Sequence, residues 1–400
     1  MKPTNASLNS LHALCALLII HTIGPQAVLV LPALVQGYVE SIALTEREAG
    51  LLSSVEMGGM FVAAALLFFL IDRIKWRTLL FVGLLLMAVT NLASMAASTL
   101  SPLYIFRFVA GFGAGVIVMV TYAMIGKTLN SDRNFGLAIF FVVLYAAVVF
   151  PLVPWALSNY GMPAIFLFFS VFGLFGFPAL YWLPDKSAID VDDLCEDPAT
   201  LPEEPSVVLK AMMPAALLTF FIGFMAVWIY LFRLGVRYDL GEQSISNALA
   251  VSQVFAMAGA FSVVVLTSIL RREWALGGGL LCSIAVFASF FSPSQGIVFF
   301  TLMVGLYQFF WNMLHPYLLA ALASLDTTGR LIVLGTAMQF LGTAIGPGLA
   351  ALVLKGESYG NVLWLGIGML LLSLALAVVP TMAGRQYQSR LKEAAARPKI

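Results

Sequence analysis

The sequence contains little charge. Asp, Glu, Lys and Arg make up only 10% of its 400 residues, whereas they make up about 25% of an ordinary soluble domain. Hydrophobic residues account for 61% of the chain, and its mean hydropathy is +0.97. Lipid must therefore solvate most of the chain, which excludes a water-soluble enzyme or binding protein. The net charge of only +1 also argues against nucleic acid as a partner.

Residues that carry catalytic or metal chemistry are also scarce. The three cysteines are odd in number and widely separated, so they predict no disulfide framework. The sequence has no G-x-x-x-x-G-K-[ST] nucleotide motif and no H-E-x-x-H zinc motif. We therefore predict no cofactor and no metal site, and we do not expect an ATP-driven pump or an intramembrane enzyme.

What the sequence has instead is a series of long apolar runs. Only helices and closed barrels satisfy their backbone hydrogen bonds in lipid, and runs of about 20 residues fit helices. Residues 11–39 contain no Asp, Glu, Lys or Arg, which is far longer than the apolar region of a signal peptide, about 7–15 residues. The runs predict twelve spanning helices, at 11–37, 48–71, 77–97, 101–126, 134–157, 163–183, 209–234, 244–269, 275–291, 296–322, 331–354 and 361–382.

The positions of Lys and Arg predict the orientation of these helices. With the N-terminus inside, the cytoplasmic segments hold 16 of these residues and the outside segments hold four, which follows the positive-inside rule. We expect both termini in the cytoplasm and an integral protein of a bacterial cytoplasmic membrane. The connecting loops are short and offer little surface to protein partners, so we expect a monomer in the lipid bilayer rather than a receptor or scaffold.

The chain also divides into two halves. Residues 184–206 hold eight acidic residues and four prolines, a composition typical of a solvated linker. Cytoplasmic basic residues recur after the linker at a nearly constant separation in sequence: Arg272 corresponds to Arg73, and Arg330 corresponds to Arg133. A duplicated six-helix unit is common in secondary transporters. We predict a first bundle over 1–183, a linker over 184–208, a second bundle over 209–384 and a cytoplasmic tail over 385–400.

Two motifs carry a resemblance to a known family. The turn after helix 2 reads FFLIDRIKWR, and helix 4 reads R-x-x-x-G-x-G from Arg107 to Gly113. With the six-plus-six topology and the acidic linker, these motifs resemble the major facilitator superfamily over nearly the whole chain. The resemblance implies an all-α integral membrane protein of twelve transmembrane helices in two six-helix bundles. It also implies a secondary transporter that moves a small organic solute by alternating access, with protons as the coupling ion.

The direction of transport is open between two alternatives. Helix 5 lacks the G-x-x-x-G-P-x-x-G-G run of many drug/proton antiporters, which favours uptake by symport. Helix 11 instead contains GTAIGPGLA, with Gly346, Pro347 and Gly348, which favours efflux by antiport. The few fixed charges within the spans suit a monoanionic, aromatic or amphipathic solute.

Glu56 and Arg107 are the two clear ionisable residues within spans, apart from histidine. Such groups are costly in lipid and tend to be functional. Both predicted helices run inwards, and at 1.5 Å per residue the two side chains lie within roughly 3 Å of the same depth. We predict a buried pair. Two roles stay open for it, a structural brace or a proton switch, since the resemblance links the helix 4 arginine to proton transfer.

Polar and aromatic residues on helices 1, 7 and 10 are further candidates, because the resemblance places these helices around the central cavity. His21 is a candidate for proton coupling, since an unperturbed histidine titrates near neutrality; a purely structural histidine is the alternative. Gln308, Asn312 and His315 share one polar face of helix 10. The predicted substrate-binding residues are Gln26, Trp228, Gln308, Trp311, Asn312 and His315.

Charged residues at the cytoplasmic turns are candidates for conformational latches. Such groups can form ion pairs that exist in only one conformational state. The alternative is that they are solvated surface charges. The predicted latch residues are Asp72, Arg73, Arg77, Asp326 and Arg330.

Overall fold

The computed structural model describes residues 8, 10–70, 73–97, 99–126, 128, 131–184, 205–292, 296–325, 330–355 and 358–395. Within these ranges the chain forms helices and turns, with one isolated β-bridge between Lys355 and Ser358. Most of the predicted linker, and the latch residues Asp72 and Asp326, lie outside the described residues.

In the part of the chain that the structure describes, twelve helical spans cross the bundle, as predicted. Ten are long and apolar enough to cross a membrane, and α1, with its shorter apolar helix Leu11–Ile23, and α9 complete the set. The spans are α1 (Leu11–Ile23, Gln26–Leu29 and Leu31–Ile42), α2 (Glu46–Leu70), α3 (Trp76–Met95), α4 (Leu100–Gly126), α5 (Ser131–Val149, Phe150–Leu152 and Val153–Tyr160), α6 (Met162–Leu174, Gly176–Ala179 and Leu180–Trp182), α7 (Val207–Trp228 and Leu231–Arg237), α8 (Glu242–Ile269), α9 (Arg272–Ser289), α10 (Ile297–Ala323), α11 (Arg330–Val353) and α12 (Gly360–Ala395).

The last helix is longer than the sequence predicts. α12 continues through the predicted tail to Ala395, because its polar end packs against the rest of the second half. The Tyr387 side chain is only 4% exposed, and Gln388 Nε2 donates to the Ser324 carbonyl oxygen at 3.2 Å.

Helices α1 and α7 are both interrupted. The first helix breaks at Gly24-Pro25 and again at Val30, and α7 breaks at Ile229-Tyr230. Beyond its break, each helix continues as a short outer segment, Leu31–Ile42 in α1 and Leu231–Arg237 in α7. We call the end of the bundle that holds the α1–α2 and α7–α8 turns the outer end, after the predicted orientation.

Glycines bring helix backbones into close contact at equivalent places in the two halves. A Cβ atom at Gly59 of α2 would lie 2.1 Å from the Phe108 carbonyl oxygen of α4. A Cβ atom at Gly259 of α8 would lie 2.1 Å from the Phe309 carbonyl oxygen of α10. The paired positions differ by 200 and 201 residues, close to the offset of the basic residues. The halves therefore share one packing scheme, and they meet through α2 with α11 and α5 with α8.

Candidate functional site

Glu56 and Arg107 form a buried ion pair in the first half. Arg107 Nη1 lies 3.5 Å from Glu56 Oε1, and the two side chains are only 1% and 5% exposed. The pair is close because α2 and α4 have almost no space between them here: a Cβ atom at Gly111 would lie 1.8 Å from the Glu56 carbonyl oxygen. The predicted pairing is confirmed.

Arg107 is also held by α3 and α6. Its Nη2 donates to Asn91 Oδ1 at 2.7 Å and to Ser94 Oγ at 2.9 Å. The guanidinium carbon lies 4.8 Å from the centroid of the Phe166 ring, within the range of a cation–π contact. A buried charge needs such compensation, because a single ion-pair contact does not replace its lost hydration.

Two buried polar atoms of the charge pair, Glu56 Oε2 and Arg107 Nε, have no hydrogen-bond partner among the described residues. Tyr38 lies on the outer segment of α1, is fully buried, and is close enough to interact electrostatically with both charges. Buried polar groups are otherwise nearly always paired, so the Glu56 carboxylate retains the capacity to accept a further proton or hydrogen bond.

The second half has no counterpart of this pair at the equivalent positions. The offset that relates Gly59 to Gly259 and Phe108 to Phe309 places Ala256 opposite Glu56 and Gln308 opposite Arg107. The two halves thus share their packing but differ in charge.

His21 lies apart from the Glu56–Arg107 pair. Its Nδ1 is 2.9 Å from Thr121 Oγ1, and its ring is 5.0 Å from that of Tyr122. Thr121 follows Arg107 by fourteen residues on α4, which separates their Cα atoms by about 21 Å along the helix. The structure therefore does not bring the three predicted proton-coupling residues together.

The predicted substrate residues of the second half lie around one group of rings. The aromatic cluster consists of Phe221, Phe224, Trp228, Tyr307 and Trp311. Trp228 stacks on Tyr307 with ring centroids 6.0 Å apart, and Trp311 lies 5.4 Å from Phe224. The Trp228 Nε1 donates to the Val28 carbonyl oxygen of α1 at 3.3 Å, so the cluster reaches the other half.

The polar face of α10 continues from this cluster. His315 Nε2 donates to Gln339 Oε1 of α11 at 3.0 Å, and its ring packs edge-on against Phe221. Trp311, Asn312 and His315 keep some exposure, while Gln308 is 7% exposed. Asn312 Nδ2 donates to the Gln308 carbonyl oxygen at 2.9 Å. Trp311, Asn312 and His315 are therefore better placed than Gln308 to meet a solute.

Gln26 is placed differently from the other predicted substrate residues. It is 1% exposed, and its Nε2 donates to the Phe169 carbonyl oxygen of α6 at 3.2 Å. Its Oε1 is buried and has no hydrogen-bond partner within the described ranges. Gln26 thus joins α1 to α6 inside the first half.

The latch residues are only partly described. Arg73 is exposed, and Arg77 Nη2 donates to the Tyr181 carbonyl oxygen at 3.0 Å, which ties α3 to α6 within one half. Arg330 begins α11, but its side chain, like Asp72 and Asp326, is outside the described part of the chain. Their role as latches stays a prediction.

An outer network joins the two halves, and the sequence analysis missed it. Arg233 of α7 donates through Nε to Glu46 Oε1 at 2.9 Å, and through Nη1 to Glu40 Oε1 at 2.7 Å and Gln36 Oε1 at 3.1 Å. Gln36 Nε2 in turn donates to Glu242 Oε1 at 2.7 Å. We call these five residues, with Tyr230 and Tyr359, the outer gate.

Two tyrosines complete the outer gate at Glu46. Tyr230 Oη donates to the Glu46 carbonyl oxygen at 2.8 Å, and Tyr359 Oη donates to Glu46 Oε1. Burial, and after it the hydrogen bond to Glu46, raise the pKa of Tyr359, so its hydroxyl keeps the proton that it donates. Below the gate, Ser54 Oγ of α2 donates to the Ala344 carbonyl oxygen of α11 at 2.6 Å. These contacts all lie in the outer half of the molecule.

Comparisons with known proteins agree on one family. Residues 16–347 match the sequence profile of the family described as "Major Facilitator Superfamily". A search of curated protein sequences finds no match.

Two solved structures share the fold over almost their whole length. One is a bacterial homolog of the human lysosomal transporter Spinster in an inward-facing, unoccupied conformation, with a TM-score of 0.67, 14% identity, and coverage of 94% of this chain and 97% of that one. The other is a D-xylose-proton symporter, with a TM-score of 0.69, 13% identity, and coverage of 97% of this chain and 99% of that one. At this identity the likeness shows the fold.

Proposed function

Because the chain belongs to the major facilitator superfamily and is a membrane transporter, we propose that it couples the movement of a small organic solute to protons. Glu56 is the proton acceptor in this proposal, and Arg107 is its counter-ion. The observation that carries it is the buried Glu56–Arg107 pair, whose carboxylate has a buried oxygen with no hydrogen-bond partner in the described part of the chain.

Helix α2 links this pair to the contacts between the halves. Glu56 meets Arg107 on one side of α2, while Ser54, two residues away and therefore on a different face, donates to Ala344 of α11. Glu46 lies ten residues before Glu56, about 15 Å along α2, and accepts the hydrogen bonds of the outer gate. Protonation of Glu56 removes the negative charge that compensates Arg107. The electrostatic attraction between the two side chains is then lost, and this loss acts on α2, the helix that holds the halves together.

The outer gate supports an outside-closed state in this proposal. With the predicted orientation, the contacts of Arg233, Tyr230, Tyr359 and Ser54 seal the outer half. Alternating access then requires these bonds to break when the opposite state forms, and to re-form in each cycle.

The aromatic cluster and His315 support the class of solute. Aromatic rings provide apolar surface and stacking faces, and the imidazole of His315 has a second ring nitrogen, Nδ1, besides the Nε2 that bonds Gln339. These groups suit an aromatic or amphipathic solute with at most one negative charge.

Import by symport is the favoured direction. The glycines of α11 that favour efflux have packing partners here: a Cβ atom at Gly346 would lie 2.9 Å from the Ile222 carbonyl oxygen, and one at Gly348 would lie 2.8 Å from Ser54 Oγ. Packing alone accounts for them. Proton-coupled efflux by antiport is the second candidate.

The test uses purified protein in proteoliposomes. A thermal-shift screen of aromatic and monoanionic metabolites first identifies a solute. An outside-acid gradient should then drive its accumulation, and a pH-sensitive dye inside should report acidification as it enters. Accumulation driven by an inside-acid gradient would instead assign antiport.

The variant Glu56→Gln resembles the protonated carboxyl group and separates the two roles of the pair. We expect it to lose gradient-driven accumulation while keeping solute exchange at equal pH. Asp239→Asn is the matched control, because Asp239 is exposed and its left-handed backbone (φ 57°) suits Asn. Full gradient dependence in Glu56→Gln would contradict the coupling role, and loss of exchange as well would assign the pair as a brace.

A further inference from the structure

Tyr38 is a buried polar residue beside the charge pair, and the proposed function gives it no role. It lies on the outer segment of α1, and its side chain is 0% exposed. Its hydroxyl group is near enough to Glu56 and Arg107 to interact electrostatically with both. Its ring packs 6.4 Å from that of Phe166, the ring that also lies 4.8 Å from the Arg107 guanidinium carbon. Tyr38 therefore connects α1 to the charge pair.

The same segment of α1 also carries two residues of the outer gate. Gln36 Oε1 and Glu40 Oε1 accept from Arg233 Nη1 at 3.1 and 2.7 Å. Gln36 and Glu40 are four residues apart and share one face of the helix. Tyr38 is two residues from each and points to the opposite side. The outer segment thus contacts the charge pair of the first half on one side and the arginine of the second half on the other.

Gln36, Tyr38 and Glu40 keep fixed positions relative to one another. They lie within one uninterrupted helical segment, Leu31–Ile42, whose backbone hydrogen bonds hold successive turns together. Tyr38 also closes the end of this segment, because its carbonyl oxygen accepts from the Leu44 amide at 3.1 Å. A displacement of Tyr38 therefore displaces the two side chains that bind Arg233.

We propose that Tyr38 is a positioning residue that transmits the protonation of Glu56 to the outer gate. The proposal rests on the proposed function, in which Glu56 accepts the proton. A tyrosine hydroxyl group donates or accepts a hydrogen bond as its surroundings require, so Tyr38 can respond to either charge state of the pair.

Protonation of Glu56 changes what Arg107 requires from its surroundings. Beside the ionised carboxylate, the Tyr38 hydroxyl group donates towards Glu56. When Glu56 binds a proton, the buried guanidinium loses its counter-charge and needs another acceptor, so the Tyr38 oxygen moves towards Arg107. The outer segment shifts with Tyr38, its bonds to Arg233 weaken, and the outer end opens.

Two sets of acidic groups compete as the source of such a pH response. Among the described residues, the charged or titratable groups that act on Glu56 are Arg107 of α4 and Tyr38 of α1. The outer gate contains three carboxylates of its own, those of Glu40, Glu46 and Glu242. Substitutions at Tyr38 separate the two sources, because they leave every carboxylate in place.

Labelling of a cysteine buried beside the outer gate measures the link. The reporter is Ala351→Cys in a full chain whose three native cysteines are replaced by alanine. Ala351 of α11 is 0% exposed, and a Cβ atom at Gly50 of α2 would lie 2.9 Å from its Cβ. A membrane-impermeant maleimide added outside proteoliposomes reaches this position when the outer end opens. Each rate is divided by the rate for the unfolded chain at the same pH, because thiol reactivity itself depends on pH.

The reporter chain should be labelled roughly tenfold faster in acidic than in alkaline buffer, which is within the usual range of coupling between two sites. Tyr38→Phe keeps the ring that packs against Phe166, loses the hydroxyl group, and should abolish this difference. Tyr38→Met also fills the site without a hydroxyl group and should behave in the same way. Tyr145→Phe is the matched control: Tyr145 is another buried tyrosine of the first half, with its ring stacked 5.3 Å from that of Phe172, and this variant should keep the difference.

Glu56→Gln in the reporter chain separates the two proposals. We expect one fast rate of labelling at both pH values. If Glu56→Gln loses the pH difference while Tyr38→Phe and Tyr38→Met keep it, transmission through Tyr38 is overturned and Glu56 remains the proton acceptor. Loss of the difference in Tyr145→Phe as well would also overturn the role of Tyr38. If Glu56→Gln keeps the tenfold difference, a gate carboxylate is the titrating group, and the proposed role of Glu56 fails together with the link.

Discussion

The contact between α2 and α4 makes a sharp prediction at two neighbouring glycines. A Cβ atom at Gly59 would lie 2.1 Å from the Phe108 carbonyl oxygen and 2.7 Å from the Phe112 amide nitrogen. A Cβ atom at Gly58 would meet nothing within 4 Å. The same substitution, Gly→Ala, should therefore have opposite effects at adjacent positions of one helix.

The size of the effect follows from the geometry. Ordinary van der Waals contact begins at 3.4 Å, so the two backbones must separate by about 1.3 Å to accommodate the methyl group that Gly59→Ala adds. Overpacking of this kind costs about 1–3 kcal/mol. The same displacement would stretch the 3.5 Å contact between Arg107 and Glu56 beyond ion-pair distance. Gly58→Ala should instead be neutral or stabilising by up to about 1 kcal/mol, since alanine favours helix more than glycine does.

Thermal unfolding in detergent and gradient-driven accumulation in proteoliposomes measure the two effects. Gly59→Ala should unfold at a lower temperature and lose accumulation, and Gly58→Ala should keep both properties. If Gly59→Ala instead matches Gly58→Ala in stability and accumulation, α2 and α4 are not in the close contact described here, and the explanation of how the charge pair is held fails.

Two further predictions concern the charged networks. Arg233→Gln removes the charged donor that holds Glu46 and Glu40 to α7; because the network is partly exposed, we expect roughly a tenfold shift towards the outside-open state, measured by cysteine labelling from outside. Unchanged labelling would refute the gate. Arg107→Lys keeps the charge, but an ammonium group cannot hold Asn91 and Glu56 as the planar guanidinium does. This variant should therefore lose gradient-driven accumulation, while Arg47→Lys should keep it. Equal accumulation by both variants would contradict the network.

Much of the fold could be predicted because lipid imposes strict conditions on sequence. Each span needs a long run of apolar residues, and the observed helices begin and end within a few residues of most predicted bounds. The end of α12 was missed because hydropathy identifies only the part of a helix that lies in lipid. Residues 383–395 are polar, and their helix is stabilised by packing at Tyr387 and Gln388.

The charge pair was predictable for the same reason. Within a span, two opposite charges at equal depth have few other ways to be compensated. Asn91 and Ser94 were missed, although their i, i+3 spacing on an apolar helix was a usable signal. The outer gate was not predictable from the sequence alone. Charges at helix ends can always bind water, and the partner of Arg233 depends on how the two halves meet.

The breaks in α1 and α7 have a mechanical consequence. Gln36 and Glu40 lie on the twelve-residue segment beyond the last break of α1, and Arg233 lies on the seven-residue segment beyond the break of α7. Ser54 and its partner Ala344 lie instead within the unbroken helices α2 and α11. Bending at a break disturbs fewer backbone hydrogen bonds than bending an intact helix. The outer segments of α1 and α7 can therefore move at the outer end while the α2–α11 contact stays in place. This movement provides a route to an occluded intermediate before the halves rotate.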